Sequence, residues 1–463
     1  MANIVVAIYN PLIRQNGMFP YFETFLAGLK DAGNNVLCFE KIAAELEIKE
    51  PIPEHYLEKI RNFSPDLFIL FNNQFWDVSE HFDVPIVIYD VDSPNVFCNL
   101  EKLKKNKRYK YLTIQKSSVN LIREILEEDS LDVEYMPPFT GVRAEECDQR
   151  YNIGFCGSHW LWNDFHQIED FLATNPTEEE RLAAKAVYKE FSEDPFHSFS
   201  ELYQRLNLNV KNKVQEGTLY YFSTRLSGLK RLRCLLQLVD LGLEIRGYLW
   251  NQPLSTPLKA FPELLLSWSD EVVNNTLSTQ RFYNSVKIGF NINHIQAKSG
   301  FSWRVCDILA SNACLVSEAT PDLLNLGFDV ATYKTASEAR DLCKHLLLNE
   351  SLRSDYVAAA HDCIDKKFRF EVVLPLLEEF AGLSMRSEDT GTLEISRVSN
   401  HDSKKEAKKK GRKAQARVMS SELHTASEDK APFPILDKMR ISFMDRLFYS
   451  ISKHCYKKIK YRN

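Results

Sequence analysis

The 463-residue sequence contains ten cysteines but no C-x-x-C pair, so it suggests neither a zinc cage nor a disulfide framework, and a reducing, cytosolic setting is expected. No apolar run approaches the roughly 18 residues that span a bilayer. The opening Met-Ala-Asn-Ile-Val-Val-Ala-Ile carries no positive n-region, and a strand rather than a signal peptide is expected there. The loop after that strand, Asn10 to Gly17, is not G-x-G-x-x-G, which removes the main indication of a dinucleotide cofactor. The residues present are 44% hydrophobic, 26% charged and 12% aromatic, which excludes collagen-like, coiled-coil and wholly disordered chains. The length predicts two core-forming domains.

Charge is unevenly spread. Of 58 basic side chains 19 lie after Leu383, against 10 of 63 acidic ones, so a tail of +9 follows a body of −14. That asymmetry speaks to partners rather than to fold.

The first 140 residues alternate short β-branched runs with helical patterns, as βαβ units around a parallel sheet do. Strands are predicted at 4–9, 36–39, 66–71, 85–89, 109–113 and 133–135. Phe22, Phe25, Leu26 and Leu29 give a helical stripe that Gly33 ends. Pro137-Pro138 and residues 140–150 read as a connector. A second domain then spans 150–383, with strands at 151–156, 243–249, 286–292 and 314–316 and helices at 230–241, 302–311 and 337–348. Residues 161–215, rich in Glu, Lys and Ala, read as a helical insertion. The expected fold class is α/β, with two Rossmann-like domains in tandem. Residues 384–430 read as a disordered linker, because their composition offers too little apolar area to offset chain entropy. Within 431–463, Leu436, Met439, Phe443, Leu447 and Ile451 fall near one helical face among lysines and arginines, a basic amphipathic pattern.

From Thr279 to about Phe380 the words Arg281-Phe-Tyr-Asn-Ser-Val-Lys-Ile-Gly-Phe-Asn291-Ile-Asn293 and Gly300-Phe-Ser-Trp-Arg304-Val-Cys-Asp307-Ile-Leu-Ala310-Ser-Asn312 resemble the group 1 glycosyltransferases, most nearly their CgeB-like, spore-maturation branch. Weaker agreement covers roughly residues 1–383. The resemblance implies a GT-B enzyme, with two Rossmann-like domains facing across a cleft. The first domain (1–140) would serve the acceptor and the second (150–383) a nucleotide-diphosphate sugar. It places Arg304 at the diphosphate and Asp307 at the family's ribose-binding glutamate, one methylene short of it. It also puts Ser299 where retaining relatives often carry a glutamate, which leaves the stereochemical outcome open.

Around this core, Gly157 and Ser158 follow a strand and would let phosphate approach the backbone. Arg231, in the run Lys230-Arg231-Arg233, is the preferred further cation, with a solvated helix face as the plainer reading. Asn293, His294 and Ser302 complete the donor set; turn capping would equally explain the asparagines at 291 and 293. On the acceptor side stand Asn16, Gly17, Asp90 and Asp92. Asp90-Val91-Asp92 is also the D-x-D word of metal-dependent transferases, but Ser93-Pro94 follows it as in the CgeB-like first domain, and no bound metal or other cofactor is expected. Asp92 is the candidate base for the acceptor hydroxyl, with loop capping as its alternative.

The expected function is transfer of a sugar to a hydroxyl acceptor: an envelope or lipid-linked glycan, or a protein. The tail would contact an anionic membrane surface from the cytoplasmic side, or dock on a protein; nucleic acid is not expected as a partner. A nucleotide-sugar epimerase and a non-catalytic binding or scaffold protein are the rival classes.

Overall fold

The computed structural model describes residues 1–41 apart from 11 and 13–16, residues 51–157 apart from 107, isolated positions between 177 and 228, and residues 230–247, 262–295 apart from 270, and 297–398. The expected insertion at 161–215 lies almost wholly outside the described residues. So do Asn16, Ser158, residues 399–430 and the tail at 431–463.

The first lobe is a seven-stranded, wholly parallel sheet. Its strands are β1 (Asn3–Tyr9), β2 (Asn35–Lys41), β3 (Leu67–Phe71), β4 (Ile86–Asp90), β5 (Tyr109–Thr113), β6 (Val133–Tyr135) and, from far along the chain, β12 (Thr392–Val398). Their order is β12-β2-β1-β3-β4-β5-β6. Helices α1 (Pro20–Asp31), α2 (Glu54–Phe63), α3 (Leu100–Lys105) and α4 (Ser118–Leu126) cover it. Strands buried on both faces read as near-continuous apolar runs, which is why these segments were legible in the sequence. Along β1, Ile4, Val6 and Ile8 join one core while Val5 and Ala7 join the core on the opposite face. Gly33, at φ 92°, ends α1 as expected, since L side chains resist that conformation.

The second lobe is a five-stranded parallel sheet ordered β11-β10-β9-β7-β8. Its strands are β7 (Tyr151–Cys156), β8 (Leu243–Arg246), β9 (Val286–Asn291), β10 (Cys314–Glu318) and β11 (Ala331–Tyr333). Helices α5 (Thr276–Asn284), α6 (Trp303–Leu309), α7 (Pro321–Leu324), α8 (Ala336–Leu348) and α9 (Glu350–Lys367) pack around it, with a further helical stretch at 230–236. No helix among the described residues is long and apolar enough to cross a membrane.

Two boundaries differ from the sequence reading. Helix α10 (Phe370–Ala381) falls in the stretch assigned to the second domain, yet Phe370, Val373, Leu374 and Leu377 are buried in the first lobe's core. Residues 384–398, expected as the start of a disordered linker, also fold onto the first lobe. The Asn34 side-chain amide donates to the Met385 carbonyl at 2.6 Å, and β12 pairs in register with Asn35–Lys41 along its whole length. An open sheet edge supplies the backbone partners, so the segment is ordered by a ladder rather than by a core of its own.

Candidate functional site

In an open parallel sheet, the strand leaving the chain's first turn and the strand on its other side diverge at their carboxyl ends, and ligands bind in the crevice they open. The second lobe has this switch between β7 and β9, the first lobe between β1 and β3. Most of the residues singled out in the sequence lie at or beside these two places.

In the second lobe, the Arg231 and Arg304 guanidinium carbons lie 5.6 and 5.5 Å from the centroid of the Phe155 ring, near the end of β7. Arg231 is buried; Arg304 is half-buried and donates from Nη1 to Asn291 Oδ1 at 3.2 Å. Gly157 follows directly, and its hydrogen is what lets Arg304 in: a Cβ there would sit 2.7 Å from Nη2. Lys230 completes the cluster but is paired, its Nζ donating to both Glu318 oxygens at 3.0 Å, with both residues buried. Burial pushes the Glu318 carboxyl up, and the Lys230 ammonium opposes that shift. Lys230, Arg231 and Arg304 thus bring three cations together beside β7, the first of them paired with Glu318.

Other donor-set residues hold the strand ends together. Asn291 donates to Asn293 Oδ1 and to Ser317 Oγ, and its carbonyl accepts from the Tyr333 hydroxyl at 2.8 Å. Asn293 donates its backbone N–H to Glu318 Oε2 and its side-chain amide to the Glu318 carbonyl. Ser302 donates to Asn291 Oδ1 at 3.3 Å, and His294 is half-buried in the following loop, where its carbonyl accepts from Ala297 N–H. Asp307 is 4% exposed, and its Oδ1 accepts from Thr140 Oγ1 at 2.6 Å. Burial pushes its carboxyl up to about 7 against the Thr140 hydroxyl and the Arg304 charge. The structure thus ties Asp307 to the interlobe connector.

In the first lobe, Asp90 ends β4 and is buried, with Oδ2 accepting from Thr113 Oγ1 at 2.9 Å. Burial pushes it up to about 8, Thr113 opposes this and the Asp92 charge adds to it. Asp92 is half-buried and accepts from the Asn72 amide. Gly17 lies against the other lobe: Met18 N–H donates to the Asn274 carbonyl at 2.8 Å, and a Cβ at 17 would meet the Asn274 side chain. Gly17 thus takes part in the interlobe contact. Among the described residues no three His, Cys, Asp or Glu side chains gather as a metal cage.

The lobes also meet through contacts that the sequence did not reveal. Trp303, one residue before Arg304, stacks on Tyr21 of α1 with ring centroids 5.1 Å apart, and Phe139 of the connector stacks on Tyr21 at 4.4 Å. Ser299 donates to Asp322 Oδ2 at 2.9 Å, and the Ser117 and Lys116 amides at the start of α4 donate to Ser299 Oγ and Asp322 Oδ2. Ser299 thus lies against a neighbouring carboxylate, Asp322. Gln115 donates to the Asp92 carbonyl at 3.2 Å and accepts from Lys298 N–H at 3.0 Å. Glu318, Asp322, Gln115 and Asn72 carried no local signal; D-x-D and R-x-x-D words draw attention, whereas a lone acid or amide ending a strand does not.

Comparison with curated proteins finds no match. Among solved structures the chain is similar to a glycosyltransferase from Rickettsia africae ESF-5, at 9% identity over 82% of this chain and 99% of that one, with a TM-score of 0.47. It is similar also to the T4 phage BGT in complex with UDP and Mn2+ (12%, 82% and 100%, TM-score 0.44) and to TarM of S. aureus (11%, 70% and 57%, TM-score 0.41). The chain spans little more than half of TarM, and likenesses this distant assign no substrate and no residue role. The two parallel-sheet lobes, joined through a connector and a returning α10, have the GT-B layout that the sequence resemblance implied. Residues 233–375, which carry most of the second lobe, match the family model described as glycosyl transferase-like.

Proposed function

We propose that the protein transfers a sugar from a nucleotide-diphosphate donor to a hydroxyl acceptor. The observation that carries this reading is the pair Arg231 and Arg304 on the Phe155 ring beside Gly157, with Arg304 inside the glycosyl transferase-like region. Phosphate-bearing ligands fit such a place, because fixed cations there stabilise charge that builds on a departing diphosphate without reorganising. Across the interlobe gap, Asp92 takes the proton of the acceptor hydroxyl as its oxygen bonds to the anomeric carbon and the bond to the diphosphate breaks. The arginines supply the countercharge, so activity is expected to survive a chelator.

The finer parts of the reading rest on the sequence alone: membership of the CgeB-like branch, a glycan, lipid-linked or protein acceptor, and a basic tail bringing the protein to the cytoplasmic face of a membrane. Thermal-shift screening against UDP-, GDP-, ADP- and CMP-sugars tests the central part. A bound donor at about 100 times its dissociation constant adds about 2.7 kcal/mol to stability. No shift with any of them would contradict the proposal.

A further inference from the structure

The first-lobe site contains one arrangement that the donor and acceptor assignments do not use. The loop after β3 places Asn72 at φ 49° and Asn73 at φ 48°, left-handed backbone that asparagine tolerates better than most residues. From that position the Asn72 side chain does two things. Its Oδ1 accepts from Val91 N–H at 3.0 Å, and its amide donates to Asp92 Oδ2. Gln115, in the loop after β5, donates to the Asp92 carbonyl, accepts from Lys298 N–H of the opposite lobe, and lies against Gly300. Asp92 is therefore held at its side chain by one loop and at its backbone by another, and the second loop is itself tied to the lobe that carries Arg304.

We propose that Asn72 is the positioning residue for Asp92, fixing one carboxylate oxygen so that the other is presented to the acceptor hydroxyl, and that Gln115 registers this carboxylate against the donor lobe. The inference rests on the reading of Asp92 as the base. An amide donor also favours the ionised carboxylate, the form that accepts a proton, and so offsets the upward push of burial. Of the charged side chains near it, Asp90 ends the preceding strand and couples electrostatically to Asp92, while Lys116 follows β5 and Lys298 lies on the opposite lobe. Asp90 shares the site as a second carboxyl, pushed up to about 8 chiefly by burial.

Two substitutions separate positioning from folding. Asn72→Gly keeps the left-handed backbone and removes the side chain. Asn72→Asp keeps an acceptor for Val91 N–H and replaces only the donor that faces Asp92. The titration of Asp92 is read in the full-length protein by difference infrared spectroscopy with carboxyl-labelled aspartate, the Asp92 band being assigned by its loss in Asp92→Asn. The expected result is that Asp92 takes up its proton at higher pH in both variants, more so in Asn72→Asp, and that the acidic limb of nucleotide release from UDP-, GDP- or ADP-glucose moves with it. An Asp92 midpoint unchanged in both variants overturns the positioning role. Undiminished release in Asp92→Asn, or no release by the unaltered protein, overturns instead the reading on which it rests.

Discussion

The two lobes share a topology and oppose each other in charge. Each is a parallel sheet whose chain reverses direction about a central strand, and each gathers polar residues at or beside the carboxyl ends of its strands. The first lobe gathers Asp90, Asp92, Asn72 and Thr113; the second gathers Lys230, Arg231, Arg304 and Glu318. The same frame thus carries carboxyl groups at the strand ends of one lobe and a cation cluster at those of the other. The difference lies in strand-end residues and not in the fold, which is why fold alone does not assign function.

The contrast can be broken most forcefully at Glu318. Glu318→Ala strands the buried Lys230 ammonium, and removing one partner of a buried pair costs about 3–5 kcal/mol; a large drop in Tm is expected, and an unchanged Tm would mean that the cation cluster does not depend on its carboxylate. Next comes Arg304→Ala, expected to lower turnover roughly 100- to 1000-fold, as loss of one charge-stabilising donor does, while circular dichroism stays native. Near-normal turnover would remove Arg304 from the mechanism. Trp303→Ala tests whether the lobes are held in register: the loss of its ring contacts with Tyr21 and Phe19 is worth about 0.5–1.5 kcal/mol each, and small-angle scattering should show a more open protein.

A pH dependence sets the first lobe apart. The folded-state value of Asp90, about 8, lies above the unfolded carboxylate value of about 4. The folded protein therefore holds a proton that the unfolded chain releases. This contribution is fully present below about pH 4 and is lost as pH rises through the folded value. Asp90→Asn should flatten that decline, so that the variant gains on the unaltered protein between pH 5 and 8 in denaturant titrations. Parallel curves would show that Asp90 does not titrate there.

The sequence made the central strands legible because β-branched runs such as Ile4 to Ile8 are buried on both faces and need no long-range information. β12 was not legible: Leu393 and Ile395 lie in a segment whose average composition is polar, and its order comes from an edge some 350 residues earlier. Nor was the allegiance of α10, which is apolar enough to pack anywhere and is settled by the first lobe's core, where Phe370 fills the space beside Gly28. At the site, Arg231 and Gly157 were singled out because a cation and a glycine near strand ends carry a local meaning, and Arg304 through the family resemblance; the structure brings the three together at Phe155. Asp307 was expected at a ribose and is engaged by Thr140, a contact across 167 positions that no local word encodes. Glu318, Asn72 and Gln115 likewise acquire their roles only when separate strand ends are brought together.

The central claim, that the second lobe grips a nucleoside diphosphate through its two arginines, is tested most directly by calorimetric titration of UDP, GDP and ADP into the unaltered protein and into the Arg231→Ala/Arg304→Ala double variant. Saturable binding of at least one of them to the unaltered protein is expected, weakening as salt rises, with its loss in a double variant that remains folded. Binding of equal strength to both proteins would contradict it.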